Sequence, residues 1–290
     1  MVIATIASLT WSFLAFFAEG SGHQKGTWIW ETSKIVTDRE NVLAFCKQNG
    51  VTDIYLYIDQ QKVEPRDYAL FIKEAREQQI QVEALGGDPS WGTKEKLKDV
   101  LEFVQWVESY NLNVQKEERF SGIHFDIEPY LLPDWVDDQD QVLKEWLMNM
   151  DRVAKQGIKV SIDLPYWSDQ VMVPGYQDYS LSSWMLKRFD TVVLMDYRDT
   201  ALGNDGIIAN ALDELREAAS LNKSVIVGVE MAESGEGDKV TFYEEGVEAM
   251  EKELDITRQH LKSHSSFKGV AVHGFPAWIS SYQKEGGKSP

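Results

Sequence analysis

The sequence predicts an α/β fold, a single (β/α)8 barrel, on three observations. Short apolar or β-branched runs recur eight times after residue 26, amphipathic helical stretches separate them, and the 290-residue length suits one such barrel. The runs are TWIWE (27–31), DIYLYI (53–58), IQVEAL (80–85), SGIHFDIE (121–128), KVSIDL (159–164), TVVLMDY (191–197), SVIVGVE (224–230) and GVAVHGF (269–275). Between them, DRENVLAFCKQNG, PRDYALFIKEAREQQ, KEKLKDVLEFVQWVESYN, QVLKEWLMNMDRVAKQG, NALDELREAASLN and EEGVEAMEKELDITRQHLKSH carry apolar residues at spacings of three and four. Several of them end in Gly or Asn, as helix C-caps do. A doubly wound open sheet would want a Gly-rich phosphate loop after the first strand, and TWIWETSKIV has none.

Composition narrows the function classes. The net charge of −18 opposes a phosphate backbone, and no Lys/Arg cluster reverses it locally, so nucleic acid is excluded as a partner. The single cysteine, Cys46, permits neither an intrachain disulfide nor a Cys-based metal site, and its place in an apolar-periodic helix reads as buried and inert. Residues 2–18 hold no charge. Residues 1–22 are therefore expected to be a signal peptide or N-terminal anchor, and 23–290 the barrel, in a secreted or cell-envelope protein. No second apolar run is long enough to span a membrane.

In a barrel of this kind the site lies at the C-terminal ends of the strands. Read in order, those ends supply Trp30 and Glu31, Tyr57 and Asp59, and Glu83 followed by Asp88 and Trp91. The fourth supplies His124, Asp126 and Glu128 at alternate positions, then Tyr130 and Trp135. The remaining ends give Asp163, Tyr166 and Trp167, then Asp196, Tyr197, Arg198 and Asp199, then Glu230, and finally His273 and Trp278. Alternate residues of a strand face the same way, so the fourth strand aims its three ionisable groups together. Carboxylates crowded in one mouth raise one another's pKa, which lets one stay protonated as a general acid. Aromatic faces beside them suit the apolar faces of pyranose rings. The set points to cleavage of a glycosidic bond.

The stretch FSGIHFDIEPY resembles the fourth-strand signature of family-18 glycoside hydrolases, the chitinases and endo-β-N-acetylglucosaminidases, D-x-x-D-x-D-x-E. Glu128 matches its catalytic acid, Asp126 the aspartate that orients the substrate acetamido group, and Phe120 and Gly122 match as well. Ser121 and His124 stand where the signature has its other two aspartates. LMDYRD resembles the family's sixth-strand segment, so Tyr197 matches the tyrosine that bonds the acetamido group, with Asp196 or Asp199 beside it. AVHGFPAW lies where the family places an eighth-strand tryptophan, here Trp278. The resemblance implies substrate-assisted retaining hydrolysis of a polysaccharide containing 2-acetamido sugars, with Glu128 as acid and then base. It implies no cofactor and no metal, and a carbohydrate polymer or oligosaccharide as partner.

Taken together, the expected catalytic residues are Glu128, Asp126, Tyr197 and Glu230. The expected substrate-binding residues are Trp30, Glu83, Trp91, Tyr130, Asp163, Trp167, Asp196, Asp199 and Trp278. Three alternatives stay open on the residues alone. Glu230, ending the seventh strand, is placed to be the nucleophile of a retaining glycosidase that needs no acetamido group. A non-catalytic sugar-binding barrel is the second, and a metal-dependent barrel enzyme with Glu83, Glu128 and Asp163 around a cation is the third.

Overall fold

A computed structural model describes residues 23–176, 178–284 and 286. The apolar run at 2–18, and the signal or anchor expected of it, lies outside the described residues. Eight strands close into a parallel barrel in chain order. They are β1 (Gln24–Ile29), β2 (Asp53–Tyr57), β3 (Gln81–Gly86), β4 (Ile123–Phe125), β5 (Val160–Pro165), β6 (Thr191–Met195), β7 (Ser224–Glu230) and β8 (Phe267–His273). The eight strands fall on the eight runs read from sequence, with β1 starting earlier and β4 much shorter than its run.

Helices fill every connection and the tail. α1 (Lys34–Thr37) and α2 (Arg39–Gln48) follow β1, α3 (Pro65–Glu77) follows β2, and α4 (Leu97–Asn113) follows β3. α5 (Asp134–Asp137) and α6 (Gln139–Val153) follow β4, α7 (Leu181–Leu186) follows β5, and α8 (Ile207–Leu221) follows β6. α9 (Gly246–Leu261) and α10 (Phe275–Lys284) follow β7 and β8.

Local chemistry explains their limits. α3 opens on Pro65, whose fixed φ suits the first helical position, and buries Tyr68, Phe71, Ile72 and Ala75 on one stripe. α6 is capped by Asp138, whose side chain accepts the Gln141 N–H at 3.1 Å. α8 ends where Asn222 turns left-handed at φ 57°, the terminator its sequence promised. α7 and α10 were not foreseen: α7 has only six residues, too few to show a helical period.

Strand alternation sorts side chains between two compartments. Outward residues such as Val82, Ala84, Ile123, Phe125, Val192 and Leu194 join the large core beneath the helices. Inward residues Trp28, Tyr55, Leu85, Val193, Ile226 and Ala271 form a smaller cluster inside the barrel. Polar groups are buried there too, among them Glu83, His124, Ser161 and Asp163.

Asp196 shows the cost of misplaced parity. It has the outward parity of Val192 and Leu194 and is fully buried. Asn210 of α8 donates to Oδ1 at 2.9 Å, while Oδ2 has no hydrogen-bond partner. Burial, the main cause, pushes its pKa up to about 8. A raised folded-state pKa makes this contribution to stability complete below the ordinary carboxylate range and lost as pH climbs toward 8. The slope is at most about 1.4 kcal/mol per pH unit. Thermal melts between pH 5 and 8.5 are expected to show Asp196→Asn losing less stability with rising pH than the wild type.

Candidate active site

Glu128 leaves β4 at the C-terminal mouth and heads a 3-10 turn, Pro129–Leu131. That turn brings the Tyr130 hydroxyl onto Glu128 Oε2, to which it donates a hydrogen bond. Burial and the Glu128 charge both push the Tyr130 phenol up, so it remains a donor. The Tyr130 ring meets Trp167 edge-on at 5.0 Å, and Trp135 lies 6.4 Å from Trp167, giving the acid an aromatic wall. The wall comes from the loops after β4 and β5.

Asp126 lies two residues deeper on the same face. The chain leaving β3 passes so close that a Cβ on Gly87 would fall 2.0 Å from the Asp126 carbonyl oxygen, so a glycine at 87 is a steric requirement. Asp126 Oδ1 is buried without a partner. Burial raises the Asp126 pKa well above the usual range, with Asp163 and Glu128 adding like-charge repulsion and His273 opposing.

The opposite side of the mouth is built on Glu230. Its Oε1 accepts the backbone N–H groups of Met231 and Ala232 at 2.8 and 2.7 Å, and its Oε2 faces His273 Nδ1 at 2.6 Å. Gly274, at φ +72°, lets the chain turn there; a Cβ would sit 2.5 Å from Glu230 Oε1. His273 Nε2 in turn accepts the Trp30 indole N–H at 3.0 Å. Burial disfavours the His273 imidazolium, but the Glu230 hydrogen bond and charge, with Asp126 and Asp163, outweigh it and raise the pKa. Trp30 is 37% exposed and packs against Tyr57 at 5.4 Å, a ring face open to a ligand. Tyr197 stacks on His273 at 6.0 Å. Its phenol is held protonated first by burial, then by the charges of Glu230, Asp163, Asp126 and Glu128.

Under this floor lies Asp163. Its Oδ2 accepts the Trp28 indole N–H at 2.8 Å and faces His124 Nε2 at the same distance, and its Oδ1 is buried without a partner. His124 is fully buried, stacks on Tyr55 at 3.8 Å, and reaches Ser161 Oγ through Nδ1 at 2.7 Å. Burial lowers its pKa to about 3, so the ring is neutral.

Glu128, Asp126, Tyr197, Glu230, Trp30, Tyr130 and Trp167 thus gather at one mouth, with Asp163 beneath. Five expected binding residues lie elsewhere. Glu83 is inside the barrel toward the N-terminal face, paired with Lys159 at 2.8 Å and bonded by Ser161. It comes early in β3, so period two puts it inside but far from the strand's end. Trp278 is fully buried in α10, against Phe45 of α2 at 5.1 Å, because the helix turns it toward the outer layer. Trp91 packs on Phe103 and on the outward-facing Phe125, again in the helix layer. Asp196 points outward, as described above. Asp199 sits in the loop after β6, its N–H bonded to the Lys239 carbonyl at 3.1 Å. The displacement of Glu83 also separates it from Glu128 and Asp163 as a metal-binding trio, and among the described residues no three acidic, His or Cys side chains are grouped to hold a metal ion. Trp28 escaped the sequence reading. Its signal was the spacing in TWIWE, which places it on the same face as Trp30.

No family model matches the chain, and no curated protein matches it in sequence. Its fold has clear relatives among solved structures. A chitinase from Bacteroides thetaiotaomicron superposes with a TM-score of 0.55 at 14% identity, over 89% of this chain and 91% of that one. A mutant GH18 chitinase from Cycas revoluta in complex with (GlcNAc)4 gives 0.51 at 11% identity, over 90% and 98%. A chitinase from Chromobacterium violaceum ATCC 12472 gives 0.50 at 11% identity, over 92% and 99%. The chain therefore has a divergent chitinase-like barrel, a likeness of fold.

Glu230 has both oxygens engaged and reads as an anchor for the β7 end rather than an open nucleophile. Glu230→Ala would orphan two N–H groups and His273, and is expected to cost about 2–4 kcal/mol in denaturant unfolding. Glu230→Gln, which keeps an acceptor for the two amides, is expected to cost less.

Proposed function

We propose that the protein is a glycoside hydrolase that cleaves a polysaccharide containing 2-acetamido sugars, by substrate-assisted retaining hydrolysis with Glu128 as acid and base. The observation that carries this reading is the Glu128 carboxyl at the barrel mouth, held by the Tyr130 hydroxyl and backed on its own strand face by Asp126. Tyr130 occupies Oε2, so Oε1 delivers the proton to the glycosidic oxygen. The acetamido oxygen of the sugar then attacks the anomeric carbon and the leaving group departs. Asp126 receives the acetamido N–H, and the Tyr197 hydroxyl, kept protonated by its surroundings, donates to the acetamido oxygen. Water then attacks the anomeric carbon and breaks its bond to the acetamido oxygen while giving a proton to Glu128, which restores the acid. The engagement of Glu230 by two amides and His273 favours the sugar's own amide as nucleophile. Trp30 on one side and Tyr130 with Trp167 on the other supply ring faces for the sugars flanking the cut. The (GlcNAc)4 complex of the Cycas revoluta chitinase supports an N-acetylated glucosamine oligomer as the first substrate to try. The uncharged run at 2–18 supports action outside the cytoplasm, at the cell envelope or beyond.

The test is reducing-end release from polysaccharides with and without N-acetyl groups. Glu128→Gln is expected to lower kcat by about 10²–10⁴-fold, the range of a lost general acid. Asp126→Asn and Tyr197→Phe are expected to fall by smaller factors with little change in KM. Cleavage of sugars lacking the acetamido group at equal rates would overturn the substrate-assisted mechanism. Sugar binding without any cleavage would overturn the hydrolase reading in favour of a sugar-binding barrel.

A further inference from the structure

The barrel interior contains a continuous line of polar groups from the N-terminal face up to Asp163 beneath the mouth. At the N-terminal end Lys159 Nζ sits 2.8 Å from Glu83 Oε1. Ser161 Oγ donates to Glu83 Oε2. His124 Nδ1 lies 2.7 Å from Ser161 Oγ, and His124 Nε2 lies 2.8 Å from Asp163 Oδ2. His124 and Asp163 have side-chain exposures of 0% and 1%, so solvent cannot complete either end of their bond.

The directions of these hydrogen bonds are determined by their start. Lys159 has only donors and takes one oxygen of Glu83, and the Ser161 hydroxyl donates to the other, so Glu83 is an acceptor at both. The Ser161 proton is thereby committed to Glu83, and Ser161 Oγ is left to accept from His124 Nδ1–H. A neutral His124 then presents a bare Nε2 to Asp163. Two bare acceptors 2.8 Å apart would repel, so one proton lies between them. The indole N–H of Trp28, also on Oδ2, cannot supply it.

We infer that Lys159, Glu83, Ser161 and His124 form an ordered hydrogen-bond chain that fixes one proton on Asp163, making Asp163 a positioning residue that leaves Asp126 as the carboxylate of the pair. The inference deepens the function proposed above and rests on it for the role of Asp126. Asp126 and Asp163 follow the register partners Phe125 and Ile162, which makes them neighbours across β4 and β5, so one of two charged carboxylates there must take a proton and the surroundings decide which. The chain dictates it from below. Asp163 is surrounded by Trp28, His124, His273, Asp126 and Glu128, with Glu83 further down. Burial, acting first, raises its pKa well above the usual range, and burial drives that of His124 down, which agrees with an acid–imidazole pair. Asp126 is the less buried of the two carboxyls. It is therefore the one able to answer the positive charge of an oxazolinium.

The direction of the chain can be reversed at its far end. In Glu83→Gln the amide oxygen stays on Lys159, because an NH₂ there would meet only donors. The NH₂ must then face Ser161, whose hydroxyl turns to donate to His124 Nδ1. His124 takes up its proton on Nε2, and Asp163 becomes the acceptor. Nitrogen-15 NMR of the imidazole in the whole, substrate-free protein at pH 7 reads this directly. The expected result is Nδ1–H with a bare Nε2 in the wild type, and Nε2–H in Glu83→Gln. Infrared difference spectra are expected to show a protonated-carboxyl band in the wild type that is missing in Asp163→Asn. Asp163→Asn, a neutral isostere able to donate to Nε2, is expected to keep kcat/KM within about threefold at pH 7, whereas Asp163→Ala falls by at least about tenfold. An imidazolium or an Nε2–H tautomer in the wild type would overturn the chain. So would an unchanged tautomer in a folded Glu83→Gln. The spectroscopy needs no turnover, so failure to cleave any polysaccharide would remove the function reading separately, while the NMR result would decide the chain.

Discussion

Closure of the parallel sheet is the constraint from which the rest follows. A closed barrel has no edge, so each strand is covered on both faces and period two assigns every residue to the interior or to the helix layer. A polar side chain sent inside must find its hydrogen bonds among other inward residues, because an unpaired buried charge costs several kcal/mol. Glu83, Ser161 and His124 meet this demand together, each completing the next, and the line ends on Asp163 Oδ2. Their neighbours Trp28 and Tyr55 contribute an indole N–H and a stacked ring face.

The same constraint separates two glutamates that look alike as strand ends. Glu128 leaves a strand of three residues into a turn that begins with proline, and the turn returns a single phenol to its carboxyl. Glu230 leaves a strand of seven residues into a bend that folds two backbone N–H groups onto one oxygen and His273 onto the other. One carboxyl keeps capacity for a reacting oxygen. The other spends its capacity holding the β7 and β8 ends, and through His273 it steadies Trp30 at the rim. A carboxyl with a free oxygen and one with both oxygens engaged thus stand on opposite walls.

The aromatic residues divide in a similar way. Trp30 and Trp167 sit on inward-facing or mouth-lining loop positions and present rings to the opening, whereas Trp91 and Trp278 turn to the helix layer and fill it. A tryptophan near a strand end is large enough to serve in either place. A loop of a few residues after the strand decides which, through turns that have no periodic signature.

The sequence alone determined the barrel, its eight strands, the larger helices and the alternation of His124, Asp126 and Glu128, because these rest on periods of two and 3.6 that survive in any context. Asn222 was legible for a local reason, since a left-handed helix terminus favours Gly or Asn, whereas the need for Gly87 against the Asp126 carbonyl appears only in the structure. The sequence could not determine depth along a strand or partners across it. Glu83 and Asp196 have the right residue type near the right strands, yet one lies low in the barrel and the other faces outward. His124 shares a strand face with Asp126 and Glu128, yet its hydrogen-bond partners are Ser161 and Asp163 on the next strand. Such pairings depend on the stagger between neighbouring strands, which only the closed sheet sets.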